Sequence, residues 1–385
     1  MNARLLALCL TLLLAAHVPA QASSGIQLVG GCDTPGEAFG VALSGNYAYV
    51  ADGDSGLRVI SVADPAHPVE VGHCDTPGWA RGVASSGNYA YVAAYDSGLR
   101  VVSVADPAHP VEFGRCSTPG LAWGVAVSGG YACIADDTAG LRVISVADPA
   151  HPVEVGYCHP GPARGVAVRG DSVFVAGYDG GFNVISIADP ANPVVVDGYF
   201  MWHSSALGVA VSGDYAYVTT PDSGLHIFSG CDSGRVVHVG QCGAWRWDWG
   251  VAVSDVYAYV AADEEGLWVV SVADPAHPFA VAFYDAPNWW ANGVTVNGGY
   301  VYVAYGMAGL QVFQGLGGIE ESPKLQASGR KPAATVVRHL PVGTVAFDAL
   351  GRRTLSPKPG VYFVCSEPLA ASRQPSAVTK VIIAR

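Results

Sequence analysis

Residues 40–52 read Gly40-Val41-Ala42-Leu43-Ser44-Gly45-Asn46-Tyr47-Ala48-Tyr49-Val50-Ala51-Asp52. Two short apolar runs meet at Gly45-Asn46, a pair that accepts the positive φ of a two-residue hairpin turn. Tyr47 and Tyr49 fall on one face, Ala48 and Val50 on the other, so both faces are apolar, as in a sheet covered on both sides. A polar loop over 53–56 leads to a third strand over 57–62. In the turn Ala63-Asp64-Pro65-Ala66-His67-Pro68, proline fixes φ and aspartate bonds the backbone. A fourth strand covers 69–74. One unit is thus a meander of four strands, a to d.

The unit recurs. Its Gly-Val-(Ala/Thr) start stands at Gly40, Gly82, Gly124, Gly165, Gly208, Gly250 and Gly293, 41 to 43 residues apart. Four-stranded units of this length are the mark of a propeller, so the fold class is all-β, a seven-bladed β-propeller. Two-helix repeats are excluded, because they need a 3.6-residue period and few Gly-Asn or Asp-Pro breaks. The two ends complete each other. The seventh unit stops near Phe313 and runs into Gly315-Leu316-Gly317-Gly318 without a strand d. Ile26-Gln27-Leu28-Val29-Gly30-Gly31-Cys32 matches Val69-Glu70-Val71-Gly72-His73-Cys74 but has no a, b or c of its own. It is expected to act as an N-terminal velcro strand, supplying strand d of blade seven and leaving no open edge.

Charge divides the chain. Residues 23–318 hold 9 Arg, no Lys and 28 acids, a net of −19, whereas 319–385 carry +6. Such a break marks a domain boundary. A −19 body is repelled by nucleic acid and anionic lipid, so no nucleic-acid partner is expected. Arg4, the apolar run 5–16 and Pro19-Ala20-Gln21-Ala22 read as a signal peptide over 1–22. That run is shorter than the ~20 residues a bilayer needs, and no transmembrane segment is expected after cleavage. The propeller then covers 23–315, a linker 316–335, and a small C-terminal β-sandwich-like domain 336–385. Strand-like runs there lie over 335–339, 345–348, 361–365 and 378–385.

Two resemblances follow from these residues. Gly-Val-Ala-Val-Ser-Gly-Asn-Tyr-Ala-Tyr-Val-Ala-Asp, then Leu141-Arg142-Val143-Ile144-Ser145-Val146-Ala147-Asp148 with its Asp-Pro turn, resembles the LVIVD repeat of bacterial surface propellers. The fifth unit departs, with Ser229-Gly230-Cys231-Asp232-Ser233-Gly234 in place of that turn, and the seventh lacks the turn. The resemblance implies secretion and an interaction role, and no activity. Phe347-Asp348-Ala349-Leu350-Gly351-Arg352-Arg353, Pro359-Gly360-Val361-Tyr362-Phe363-Val364 and Lys380-Val381-Ile382-Ile383 resemble the type A sorting domain of type IX secretion. That resemblance implies passage to the outer cell surface of a bacterium, with the secretion machinery as partner. A small domain used only as a spacer is the alternative.

Little of the sequence suggests catalysis. His67, His109, His151 and His277 occupy one turn position, with Asn192 in a fifth unit, and cannot converge on one site. Strand a offers Gly, Val, Ala, Ser and Leu, with Arg169 and Thr295 as exceptions, so no metal ring, cofactor or Ser-His-Asp set is placed there. Asp52-Gly53-Asp54-Ser55-Gly56 lacks the remaining acids of a calcium loop. Cys32, Cys74, Cys116, Cys158 and Cys242 end strand d, with Phe200 and Tyr284 in the other blades, and read as buried free thiols. Arg58, Arg100 and Arg142 share a strand c position and suit an ion pair within the blade.

One feature points outward. The b–c and d–a loops share one face of a propeller. Of nine Trp, eight lie on d–a segments: Trp79, Trp123, Trp202, Trp245, Trp247, Trp249, Trp289 and Trp290. Acids from b–c loops gather on that face, among them Asp52, Asp54, Asp96, Asp136, Asp137, Asp179, Asp222, Asp263, Glu264 and Glu265. Phe39, Arg81, Trp123, Arg164, Leu207, Trp249 and Asn292 each precede a strand a and should ring the tunnel mouth. Phe39, Trp79, Trp123, Trp249 and Trp289, with Arg81 and Arg164, are the candidate ligand-binding residues. Loop Trp suits stacking on a sugar, a cation or a partner protein, or else packing between blades beneath the loops. The surrounding acids favour a cationic or hydroxyl-rich partner. The leading expectation is a secreted, non-enzymatic module binding a surface protein or glycan. The alternatives are a propeller hydrolase or lactonase, argued against by the missing tunnel carboxylates, and a purely structural surface component.

Overall fold

In blade one, Tyr47–Ala51 pairs with Gly40–Ser44 on one side and with Leu57–Ser61 on the other, and Leu57–Ser61 pairs with Val69–Cys74. The computed structural model describes residues 26–316 except 179–180, 202–204, 232–234, 244–248 and 286–288, and strand segments between 335 and 383. Across 26–316 the meander forms seven four-stranded antiparallel sheets. Strand a of each blade contacts strand a of the next, and the seventh contacts the first, so the sheets close into a ring. No helix occurs among the described residues.

Seven clusters of buried side chains fill the spaces between neighbouring sheets. Strands b and c supply most of each cluster, which explains why those strands are apolar on both faces.

The N-terminal strand closes the ring. Gln27–Cys32 pairs antiparallel with Leu310–Gln314, from Gln27 opposite Gln314 to Cys32 opposite Leu310. Its register skips at Val29. The same skip falls at Val71, between Glu70 opposite Ile60 and Gly72 opposite Val59, and recurs in the other c–d pairs. Gln27–Cys32 therefore has the bulge of a strand d as well as its sequence.

The repeated glycines set the blade spacing. A Cβ at Gly40 would lie 3.0 Å from the carbonyl oxygen of Arg81, at Gly82 2.7 Å from that of Trp123, and at Gly124 2.9 Å from that of Arg164. At Gly250 it would meet Asn292 at 2.7 Å, and at Gly293 Phe39 at 2.6 Å. Gly165 and Gly208 press still closer on Leu207 and Trp249. A Cβ is excluded below 3.0 Å and tightly crowded at Gly40, so the inner strands need glycine where the next blade arrives. A second circle lies farther out. Gly30, Gly72, Gly114, Gly156 and Gly240 on strand d each face a proline carbonyl in the c–d turn of the next blade. The turn itself is braced by aspartate: Asp64 accepts bonds from Ala66 N–H at 3.0 Å and pairs with His67 Nδ1 at 2.9 Å. Each turn histidine is paired with its own Asp106, Asp148 or Asp274 in the same way.

Several expectations need correction. In blade four, Tyr199, and not Phe200, pairs opposite strand c where Cys74 does in blade one. The five strand d cysteines are half-buried free thiols, less enclosed than expected because strand d is the outer edge of the blade. Asp52 and Asp136 are wholly buried and do not belong to the acidic rim. Asp52 accepts bonds from Thr34 Oγ1 at 2.5 Å and Gly36 N–H at 2.9 Å, and Arg58 Nε lies 3.6 Å away. Arg58 reaches on to Glu70 at 3.4 Å. Asp136, Thr118, Gly120, Arg142 and Glu154 repeat this clamp in blade three. The ion pair expected within the blade is present between strands c and d, and it extends to the buried Asp52 that follows strand b.

In the tail, Thr335–Val337, Thr344–Phe347, Arg353–Thr354, Gly360–Ser366 and Thr379–Ile383 pair as one five-stranded sheet. The signal peptide, the linker and the β-sandwich-like packing of the tail lie outside the described residues.

Candidate functional site at the tunnel mouth

The mouth residues are held by an extra rung of the a–b pairing. Phe39 N–H donates to Ala51 O at 2.8 Å, and Arg81, Trp123, Leu207, Trp249 and Asn292 donate at 2.9 Å to Ala93, Ala135, Thr219, Ala261 and Ala304 at the end of their own strand b. The preceding alanines, Ala38, Ala80, Ala122, Ala163 and Ala291, bridge to the b–c loop of the previous blade at Gly306, Gly53, Tyr95, Asp137 and Asp263. These alanines are fully buried. The signal in sequence is therefore Ala-X-Gly in six repeats and Asp248-Trp249-Gly250 in the sixth unit, with X turned to the axis. Arg164 sits at a register skip between Ala163 and Gly165.

These seven residues, with the Gly-Val pair that follows each, line one cavity of about 250 Å³. Phe39, Trp123, Trp249, Arg81 and Arg164 are all in its wall. Trp79 and Trp289 are not. Trp79 stands one step out, 44% exposed, with its ring 6.1 Å from Phe39. Trp289 and Trp290 are exposed on the rim. Trp202, Trp245 and Trp247 lie outside the described residues, as does Asp179.

The site is built from rings and guanidiniums. Trp123 and Trp249 are 9° from parallel with centroids 6.4 Å apart. Tyr95 meets Trp123 edge-on at 5.6 Å. The Arg81 guanidinium carbon lies 4.0 Å from the Phe39 ring centre, 4.7 Å from Trp123, 4.9 Å from Trp79 and 5.6 Å from Tyr95. Arg164 lies 3.8 Å from Trp123 and pairs with Asp137 at 3.5 Å. Burial pulls Arg81 below the usual arginine value, Glu37 and Tyr95 oppose that, and the Arg164 charge adds to it. The wall of the mouth is thus aromatic and cationic. Of the loop acids, Asp137 pairs with the wall at Arg164 and Glu37 stands near Arg81.

A second circle of residues was not legible as a site in the sequence. Gly53, Tyr95, Asp137, Asp263 and Gly306 hold one b–c loop position, each beside the mouth residue of the next blade, and all have positive φ, from 43° to 56°. Glycine takes this conformation freely, whereas Tyr95, Asp137 and Asp263 pay strain for it. The repeat position after strand b is the signal that locates them. Asp263 is raised to about 6 by burial, then by the Glu264 and Glu37 charges.

Among the described residues no group of three or more His, Cys, Asp or Glu is placed to hold a metal. A polar chain does occur in blade five, where the clamp is absent. Thr220 Oγ1 lies 2.8 Å from Ser223 Oγ, Ser223 2.8 Å from His226 Nε2, and His226 Nδ1 3.0 Å from His238 Nε2. His226 and His238 stand where Arg58 and Glu70 do in blade one, so this chain is a neutral counterpart of the buried ion pair.

The family model described as the LVIVD repeat matches residues 35–76, 77–118, 119–159, 160–200, 204–228, 248–286 and 290–313. The chain belongs to the LVIVD repeat family. The fifth LVIVD match stops at 228, where the Asp-Pro turn is replaced, and the seventh at 313, where strand d is supplied by the N-terminus. A search of the curated proteins finds no match. Among solved structures, this LVIVD chain is similar to the computationally designed Ika8 protein, with a TM-score of 0.56 and 10% identity over 75% of this chain and 99% of that one. At that identity the likeness speaks for the fold alone.

Proposed function

We propose that this LVIVD propeller is a non-catalytic binding module that takes a glycan at its tunnel mouth. The observation that carries the reading is the convergence of Phe39, Arg81, Trp123, Arg164 and Trp249 on one cavity. Rings at a mouth stack on sugar faces, and arginine held on rings keeps its donor edge for a ligand. The strained Tyr95, Asp137 and Asp263 support it, because sister loops use glycine at that position and strain clusters at ligand clamps. On a glycan array, the wild-type protein should bind a related set of glycans, and Trp249→Ala should lose them while melting within a few degrees of the parent. An identical pattern for both proteins, or binding to a partner protein and to no glycan, contradicts the reading.

We also propose export to the outer cell surface. The apolar N-terminal run with Ala20 and Ala22 supports a cleaved signal, and the Pro359-Gly360-Val361-Tyr362-Phe363 run supports sorting by the type IX machinery. Removing 319–385 should then leave a folded propeller in the periplasm of its host. A truncated protein that still reaches the surface makes the tail a spacer.

A further inference from the structure

We infer that the mouth selects acidic saccharides, with Arg81 holding the sugar carboxylate and Trp79 the sugar face. This rests on the mouth being the binding site, and it reverses the preference for cations that the acidic loops suggest.

The charged residues that line the cavity, Arg81 and Arg164, are positive. Arg58, Arg100, Arg142, Arg115 and Arg164 each have a carboxylate within 4 Å. Arg81 has none among the described residues. Glu37 is near enough to feel its charge, yet forms no ion pair with it. In place of a counter-ion, Arg81 has four aromatic rings within 6 Å. Rings attract the faces of a guanidinium and leave its planar N–H edge without an acceptor. That edge matches a carboxylate with two parallel bonds.

A second cation sharpens the point. Arg164 stacks on the same Trp123 and its charge opposes that of Arg81. An anion beside them relieves that repulsion, whereas a cation adds to it. Much of the body's other acidity is elsewhere. Asp64, Asp106, Asp148 and Asp274 are on c–d turns at the opposite face, and Asp52 and Asp136 are buried in clamps. Of the two arginines in the wall, Arg164 is offset by Asp137 at 3.5 Å, whereas Arg81 has Glu37 nearby without an ion pair, so Arg81 decides the selection. Trp79 supplies the flat surface: it is 44% exposed and touches Arg81 from the solvent side of the mouth. An apolar platform beside a bidentate cation fits a pyranose ring bearing a carboxylate, as in a uronic acid. Neutral sugars use the platform alone.

The test is calorimetric titration of the full chain with an oligogalacturonate and with its methyl ester, which keeps the ring and removes the charge. The wild type should bind the acid at least about tenfold tighter than the ester. Arg81→Gln should remove that difference, because the acid loses far more affinity than the ester, and Trp79→Ala should weaken both. Raising salt should weaken the acid only. If Arg81→Gln fails to fold, Arg81→Lys, which keeps the charge and loses the planar fork, should lose most of the preference. Equal affinity for acid and ester, with Trp249→Ala still weakening both, overturns the charge selection and leaves the mouth as the site. Binding untouched by Trp79→Ala, Trp249→Ala and Arg81→Gln overturns the mouth as well. Failure of the wild type to bind the acid while it binds neutral glycans also overturns the inference.

Discussion

Trp123 of blade three and Trp249 of blade six face each other with ring planes 9° apart and centroids 6.4 Å apart. Their blades are on opposite sides of a seven-membered ring, so the two indoles meet across its axis. Each is aimed there by the same device: a backbone bond to the end of strand b, and a following glycine that lets the neighbouring blade approach. The binding wall is therefore a by-product of ring closure, and its chemistry is set by one variable residue per blade.

The closing glycine should be intolerant of a side chain. Gly293→Ala puts a methyl group 2.6 Å from Phe39 O across the seam between blades seven and one. A loss of about 2–4 kcal/mol in urea melts is expected. Gly298→Ala in the same blade meets open space and suffers only its φ of +58°, for a loss of about 1 kcal/mol. Similar losses for the two would mean that close approach does not govern the inner strands.

Blade two offers a gain. Ala94 stands where blades one and three have Asp52 and Asp136, and Thr76 Oγ1 is buried there without a hydrogen-bond partner. Ala94→Asp should rebuild the clamp with Thr76 and Arg100, raising stability by about 1 kcal/mol. In a Thr76→Val background the gain should shrink, and a double-mutant cycle by thermal melting measures the coupling.

The His226–His238 chain should make stability fall in mild acid. Burial, then the neighbouring His238, lowers His226 from 6.5 to about 4. Between those values the unfolded chain binds the proton and the folded one does not. Stability is thus full above pH 6.5 and declines as pH falls toward 4, by up to roughly 3 kcal/mol from this group. In His226→Gln that part of the slope should vanish from melts recorded between pH 7 and 4.

Asp263 should act with the opposite sign. Its folded value of about 6 lies above the 3.8 of an unperturbed aspartate, so ionising it in the fold costs stability as pH rises through 6. Its φ of +43° adds strain that Gly53 and Gly306 avoid at the same position. Asp263→Gly should be more stable than the parent at pH 8, by on the order of 1 kcal/mol after solvent screening, and gain less at pH 4. No difference between the two pH values would mean that the carboxyl is not constrained by the rim.

The ring was legible because its determinants are local and periodic. The Gly-Val starts, the Gly-Asn and Asp-Pro turns and the orphan strand d at the N-terminus each sit within a few residues and recur. The mouth residues were legible for the same reason, since each precedes a repeated glycine. What spacing could not say is which loop tryptophans turn inward. Trp79 and Trp123 both lie on d–a segments, but only Trp123 has the backbone bond that aims a side chain at the axis. Asp52 read as a surface acid because its partners Thr34 and Gly36 come from the segment leading out of another blade. Tyr95 gave no signal of its own, because its place beside Trp123 depends on the bridge to Ala122. The mouth's positive wall was hidden by net charge, which sums acids that are buried, paired or on the far face.

The most direct test of the mouth as the binding site is fluorine NMR of the protein labelled with 5-fluorotryptophan, titrated with a glycan retained on the array. Single substitutions assign the signals. Trp79, Trp123 and Trp249 should shift together and saturate at one affinity, while Trp268 in strand c, stacked on Phe283 of strand d at 4.8 Å, should stay in place. Saturation with the Trp123 and Trp249 signals unmoved would contradict the account.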